Sequence, residues 1–374
     1  MNVDRFLDNR TPMVVVPMPM DDRHGREVLV VIAKLTWDVS PTGVASLAIP
    51  QPVVRLNEAR AVEGIWSSVR YPSELIDEKP GTDVVLVGHA HPPADRQVTE
   101  MDVHLRVDAS PRPLEKTVRV FGQRIYYKAV LGVAPGPAAV LGKTPLLYEL
   151  AFGGRDESDP AKIAVDPRNP SGVGFATDKA RLIGTRAPQL EVPDGKSAPA
   201  GFGPIPAHWS PRAERSGTHD KAWLTKRKPL WPVDFDLRHN SVAHPDLWSE
   251  TPLVGDEPVE VLGATPEGAW RFRLPRYAPV FESTHLEPNS ADPTLPAKRV
   301  KTQLPTHLDT FLIDADARCV ELTWRVAVPL PRKSELLESV LMLASNELPP
   351  EVWSAAMVKL AEWKSRDMHK ETGA

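Results

Sequence analysis

Residues 27–39 read EVLVVIAKLTWDV and residues 317–328 read ARCVELTWRVAV, and these two stretches decide the fold class. In the first, the apolar run 28–33 passes into strict alternation. Lys34, Thr36 and Asp38 then lie on one side, and Leu35, Trp37 and Val39 on the other. A period of two is that of a β-strand, whose successive side chains face opposite ways. LTWDV (35–39) and LTWRV (322–326) agree at every position but one, which marks either an ancient duplication or two neighbouring strands of one sheet.

More strands follow outward from this pair. MVVV at 13–16 precedes it, and Pro41-Thr42-Gly43 turns the chain into a returning strand over 44–49. Residues 83–90 (DVVLVGHA) read as a strand, and 100–107 with 115–121 form a hairpin. Residues 257–263 and 269–274 meet at the turn TPEG, and 307–314 meets 317–328 at Asp314-Ala315-Asp316. The reading is mainly β: antiparallel sheets in a sandwich or barrel-like body, with long ordered Pro/Gly-rich loops. N- and C-terminal strands could share one sheet system. That makes 1–330 one β-rich unit, with lobes 1–140 and 141–330 as the alternative, divided at the small-residue stretch 132–142.

The tail differs in kind. ELLESVLMLA (335–344) and PEVWSAAMVKLAEW (350–363) carry helical spacing, and Trp353, Met357 and Leu360 of the second share one face. A short helical tail over 331–374 is expected, packed at home or offered to a partner's groove.

Composition bounds the rest. The chain has 374 residues, 41% hydrophobic and 25% charged, as a soluble protein with a real core does. Its 40 prolines favour strands and loops over long helices. The formal charge of −4, with scattered basic residues, gives nucleic-acid binding no support. Cys319 is the single cysteine, so no intramolecular disulfide forms, and it reads as a small buried apolar side chain. MNVDRFLDNRTPM lacks the apolar segment of a secretory signal, and no apolar run is long enough to span a bilayer. The expectation is a cytoplasmic protein with no membrane partner.

Residues 201–247 hold Trp209, Trp223, Trp231 and Phe235 among closely spaced prolines and glycines. Prolines that dense exclude a helix pattern, and aromatics that dense exclude a disordered linker. A long ordered excursion pinned by aromatics is left, and such excursions are often functional. Within it, Asp234 and Asp236 would share a face of an extended strand, as paired acid–base carboxylates can. The plainer reading has them capping turns or pairing with Arg238. His219, Asp220, His239, His244 and Asp246 cluster in sequence, but at no metal-ligand spacing. No nucleophile elbow, phosphate loop or dinucleotide fingerprint occurs. The residues thus suggest no catalytic group, metal or cofactor, and a hydrolase built on Asp234 and Asp236 with the nearby histidines stays as the alternative.

Several segments in order carry a resemblance: KLTWDV (34–39), KPGTDVVLVGHAHPP (79–93), VRVFGQR (118–124), PLLYELAFGG (145–154), RNPSGVGF (168–175), PAGFGPIPAHWSPR (199–212), GTHDKAW (217–223) and PVDFDLRHN (232–240). With them the chain resembles the bacterial domain-of-unknown-function 2169 family over roughly 10–330, a family linked to type VI secretion effectors. The resemblance implies a non-enzymatic effector adaptor, or chaperone. Its partners would be an effector, PAAR-type or toxin-bearing, and the VgrG spike on which it helps mount that effector. The family signature carries over to Tyr148, Glu149, Phe152, Gly153, Gly154, Asn169, Pro170, Trp209, Arg212, Asp220, Trp223, Asp234, Phe235 and Arg238. Trp353 and Met357 of the tail join them as partner-binding candidates. Departures fall at His219 and His239, where aromatics are expected, and at Gln123, where an aspartate is common.

Overall fold

Alternation along residues 27–39 produces the longest strand of the described chain, and the sheet around it organises the rest. The computed structural model describes residues 7–195, 197–287, 296–330 and 337–344. Its principal strands are β1 (Leu7–Asn9), β2 (Val14–Asp21), β3 (Glu27–Val39), β4 (Thr82–Val87), β5 (Glu100–Val107), β6 (Leu114–Phe121), β7 (Tyr126–Ala129) and β8 (Gly132–Pro135). After a long irregular middle come β9 (Pro258–Leu262), β10 (Ala269–Arg273), β11 (Pro279–Glu287), β12 (Lys298–Leu304), β13 (Leu308–Asp314), β14 (Cys319–Pro329) and β15 (Leu337–Ala344).

The largest sheet has seven strands in the order Trp248–Ser249, β4, β13, β14, β3, β2, with Ala45–Leu47 beside the end of β3. β14 runs antiparallel along nearly all of β3, placing Leu322 opposite Leu35. The two LTW segments are therefore neighbours in one sheet, and both ends of the chain build it. Leu190–Glu191, β6, β5, β9 and β10 form a five-stranded sheet. One continuous core joins the two, with Leu35 and Trp37 from the first and Leu105, Val118 and Trp270 from the second. The Trp270 indole N–H donates to Ser40 O at 3.0 Å. At Gly43 a Cβ would lie 2.1 Å from Arg271 O, so only glycine lets the β3 turn press onto β10. The sheets are open, and none closes into a barrel among the described residues.

The four-stranded sheet β1, β15, β11, β12 corrects one expectation. Residues 337–344 form a strand, not a helix, parallel to β1 and antiparallel to β11. Val340 and Met342 are buried and their neighbours half-buried. An unbroken run such as VLML satisfies a period of two as well as one of 3.6, so pairing on both sides decides it. The expected helix over 350–363, with Trp353 and Met357, lies outside the described residues. At the start of the small-residue stretch 132–142, Gly132–Pro135 is the return strand of a hairpin with β7.

The second face of the seven-stranded sheet is also buried, and beside an apolar cluster of Val28, Val30, Ile32 and Val54 it is polar. It carries Lys34 from β3, Glu321, Thr323 and Arg325 from β14, Thr310 from β13 and Asp83 from β4. The irregular segment 50–80 covers it and supplies partners. Lys34 Nζ donates to Glu74 (3.2 Å), Arg55 pairs with Glu321, and Arg325 pairs with Asp309 while donating to Glu74 O (3.1 Å) and Ile76 O (2.9 Å). Lys79 donates to Asp83 (2.6 Å) and Thr310 (2.7 Å). Burial pushes the Glu321 carboxyl up, but the Arg55 hydrogen bond and the charges of Lys34 and Arg55 outweigh it and hold it below its ordinary range. Buried charges are tolerated only when paired and hydrogen-bonded in this way. Asp83 also accepts from Val242 N at 2.9 Å, and so ties the long middle excursion to the sheet.

Candidate functional site

Two clamps turn the middle of the chain into rigid structure, and the family-signature residues make both. The first centres on Asn169, which is fully buried. Its Nδ2 donates to Tyr148 O (2.8 Å) and Phe152 O (3.0 Å), gripping both ends of the turn 148–152. Asn169 O accepts from Gly154 N at 2.8 Å. Gly153, at φ +145, has room for no side chain, because a Cβ would lie 2.2 Å from that same carbonyl. Pro170 is buried beside it. Glu149 accepts from Ser68 N (2.7 Å) and Ser68 Oγ (2.8 Å), binding the segment 66–69 to the turn. The Tyr148 ring meets the buried Trp209 edge-on at 5.6 Å, and burial pushes its phenol well up.

Arg212 makes the second clamp. Its Nε donates to His239 O (2.7 Å) and its Nη1 to Ile205 O (2.6 Å), closing the excursion between them. Burial lowers its guanidinium to about 10, with Asp83 and Glu58 opposing, so it stays a cation at neutral pH. Beyond the clamp lies a helix that the proline count argued against: α1 (Lys221–Lys226), fitted between Gly217 and Pro229. Asp220 caps it by accepting from Trp223 N at 2.7 Å. The Trp223 indole N–H donates to Leu230 O (2.8 Å), and its ring meets His219 at 4.5 Å.

The expected chemistry groups are used locally. Asp234 accepts from Thr218 N (3.0 Å) and Thr218 Oγ1 (2.7 Å), and these bonds lower its carboxyl. Asp236 accepts from Arg238 N at 2.9 Å, while the Arg238 guanidinium lies over Trp248 at 4.2 Å. The two carboxylates share no strand face; each orders its own turn. His239 turns Nδ1 to Arg212 O (2.8 Å), and His244 Nδ1 accepts from Asp246 N (3.2 Å). Among the described residues no three His, Cys, Asp or Glu side chains are grouped to hold a metal ion. Cys319 is half-buried, and burial next to Asp314 and Glu321 pushes its thiol up to about 12, far from a reactive thiolate.

Part of what the clamped excursion presents to solvent is apolar. Phe235 stacks on Trp231 at 4.4 Å, and Val233 between them in sequence and Leu224 of α1 are 85% and 55% exposed. Lys221, Lys226 and Lys228 are exposed in the same stretch, as are Asp220, Asp234 and Asp236. A second apolar feature is the hairpin β7–β8, next to a cleft of about 440 Å³ lined by Tyr126, Val133, Phe152 and Phe175. Sequence reasoning marked Trp231 and Phe235 but missed the hairpin and the buried charge network. The polar side of β3, Lys34-x-Thr36, was the available signal for the network.

A family model described as an uncharacterised protein conserved in bacteria, DUF2169, matches residues 24–325, and the chain belongs to that family. Nothing among curated proteins or solved structures matches it. Among the described residues no helix is long and apolar enough to cross a membrane.

Proposed function

We propose that this DUF2169 protein is a non-enzymatic adaptor in the cytoplasm of the producing bacterium. It holds a type VI secretion effector, PAAR-type or toxin-bearing, and helps load it onto the VgrG spike. One observation carries the reading: Trp231, Val233 and Leu224 are exposed on an excursion whose backbone is clamped at Arg212, Asp220 and Asp234. Rigid exposed aromatics lose little entropy on binding and are the residue types that dominate interface energetics.

No observation favours the hydrolase alternative. Asp234 and Asp236 are engaged by loop donors, each in its own turn. The test is capture of the tagged protein from its native cell, identification of what it holds, and titration of the purified pair. An effector captured with the spike protein, and bound at least about tenfold more weakly by Val233→Asp, is the expected result. Purification alone from an extract that contains the secretion proteins would refute it.

A further inference from the structure

The hairpin turn between β2 and β3 forms one wall of a cleft that neither clamp uses. Asp22 shapes the turn, accepting from His24 N (2.8 Å) and Arg26 N (2.9 Å) and pairing with the Arg26 guanidinium at 2.6 Å. The turn is braced from outside. Arg227 Nη2 donates to Arg23 O (3.2 Å), and at Gly25, φ +74, a Cβ would lie 2.9 Å from the side chain of Leu230. Residues 77–78 form a second wall, held by Asn240 Nδ2, which donates to Glu78 O (2.8 Å) and Asp77 Oδ1 (3.2 Å). The end of β14 forms the third, where Leu330 N donates to Glu27 O at 3.1 Å. Between them lies a cleft of about 570 Å³, within the size range of ligand sites.

The lining decides what the cleft can hold. Asp22 and Arg26 neutralise each other. Glu27, Asp77 and Glu78 remain, and none of the three makes an ion pair among the described residues. Lys79 and Arg325, next along the chain, are buried and committed to Asp83 (2.6 Å) and Asp309. A cleft lined by one sign of charge concentrates ions of the other. A bare metal ion is the wrong occupant, since no three carboxylates of the described residues are grouped to hold one. The rest of the lining is apolar: Val28, Ala327, Pro329 and Leu330, with Ala327 and Pro329 exposed. Spaced carboxylates beside apolar walls suit a long cation, whose methylenes lie on apolar surface while its charged head stays near water. Lysine and arginine have this build. A cavity of about 150 Å³ already holds a benzene ring, so one such side chain leaves room here for its neighbours in a peptide.

We propose that this cleft receives a segment of a protein partner in which a lysine or arginine stands among apolar residues. The stem lies along Val28, Ala327 and Pro329, and the charged head faces Glu27, Asp77 and Glu78. The proposal is independent of the adaptor reading: it specifies a partner segment by its chemistry, and stands or falls whether or not an effector is captured.

The test is calorimetric titration of the purified full-length protein, at about 50 mM salt, with acetyl-Leu-Lys-Leu-Arg-Leu-amide. Its acidic twin, acetyl-Leu-Glu-Leu-Glu-Leu-amide, and spermidine are titrated beside it. Two variants accompany these: Glu27→Lys with Glu78→Lys reverses the charge, and Ala327→Trp fills the apolar side and leaves the charge alone. Circular dichroism and thermal midpoints check that each folds. The expected result is saturable binding of the basic peptide with a Kd of about 100 μM or tighter, at least about tenfold weaker in either variant, and no binding of the acidic twin. Absence of saturable binding would overturn the proposal. So would binding that Ala327→Trp leaves unchanged, which is charge attraction alone, or spermidine bound as tightly as the peptide. The chain's own Arg332 and Lys333 follow Leu330 in sequence. If the peptide binds only after Arg332→Glu with Lys333→Glu, the cleft belongs to this chain's own cations and the proposal fails.

Discussion

Replacing Asn169 by alanine tests whether the signature residues act as clamps. The substitution removes the donor that serves Tyr148 O and Phe152 O, at 2.8 and 3.0 Å, in a region sealed from water. A buried carbonyl left without its donor costs about 1–3 kcal/mol. The loss is partly offset because Asn169 Oδ1 is itself buried without a partner and vanishes with the side chain. Tyr148 O keeps Ala151 N as a second donor at 3.0 Å, so the main loss is at Phe152 O and the net destabilisation is about 1–3 kcal/mol. Urea unfolding followed by tryptophan fluorescence measures it, since Trp209 packs edge-on against the ring of Tyr148 in the same turn. Asn169→Asp keeps the shape and loses the amide donor, so it should cost at least as much. If both variants unfold within about 0.5 kcal/mol of the parent, the turn 148–154 is held by something else and the clamp argument is wrong.

Three further outcomes follow from the same geometry. Gly153→Ala should destabilise by more than about 2 kcal/mol, since the backbone is at φ +145 and the new methyl would collide with Asn169 O; equal urea midpoints would refute this. Asp220→Ala should cost about 1 kcal/mol through the lost cap of α1, with Trp223 fluorescence reporting the local change; an unaltered spectrum and midpoint would count against the cap. Burial lowers the Lys116 ammonium from 10.5 to about 8, only partly opposed by Asp246. The unfolded chain then binds more protons between those values, so stability climbs as pH rises from about 8 to about 10.5, and the full penalty is present below 8. Lys116→Met should therefore stabilise by roughly 2–3 kcal/mol at pH 7, with the gap closing toward pH 10.5; a gap constant with pH would refute it.

The strands were legible because they are written in a local code. β3, β5, β6, β9, β10, β13 and β14 each alternate or run apolar between turn residues, and pairing only had to follow. β15 was misread as helix because four consecutive apolar residues fit either period, and what decided it was β11, more than fifty residues away in sequence. The same distance hid the charged layer. Lys34, Thr36 and Asp38 were readable as one polar strand face, and for an antiparallel sheet a polar face ordinarily means water. At Lys34 and Thr36 it is sealed instead by residues 50–80, which carry no periodic signal, and farther along the sheet by the 240–243 backbone that Asp83 holds, while Asp38 alone stays exposed.

The site residues were found by type but not by role, and the reason is physical. Tyr148, Asn169, Arg212, Asp220 and Asp234 spend polar atoms on backbone groups within the middle segment. An irregular segment has no ladder to satisfy its own amides and carbonyls, so side chains must do it. A motif rich in such residues therefore states how a loop is held and says little about what the loop touches. Contact surfaces are found in the remainder: apolar side chains that the clamps leave outside, such as Trp231, Val233, Val130 and Leu131. Of these only Trp231 drew notice in the sequence, because an exposed valine looks like a buried one until the fold assigns it a side.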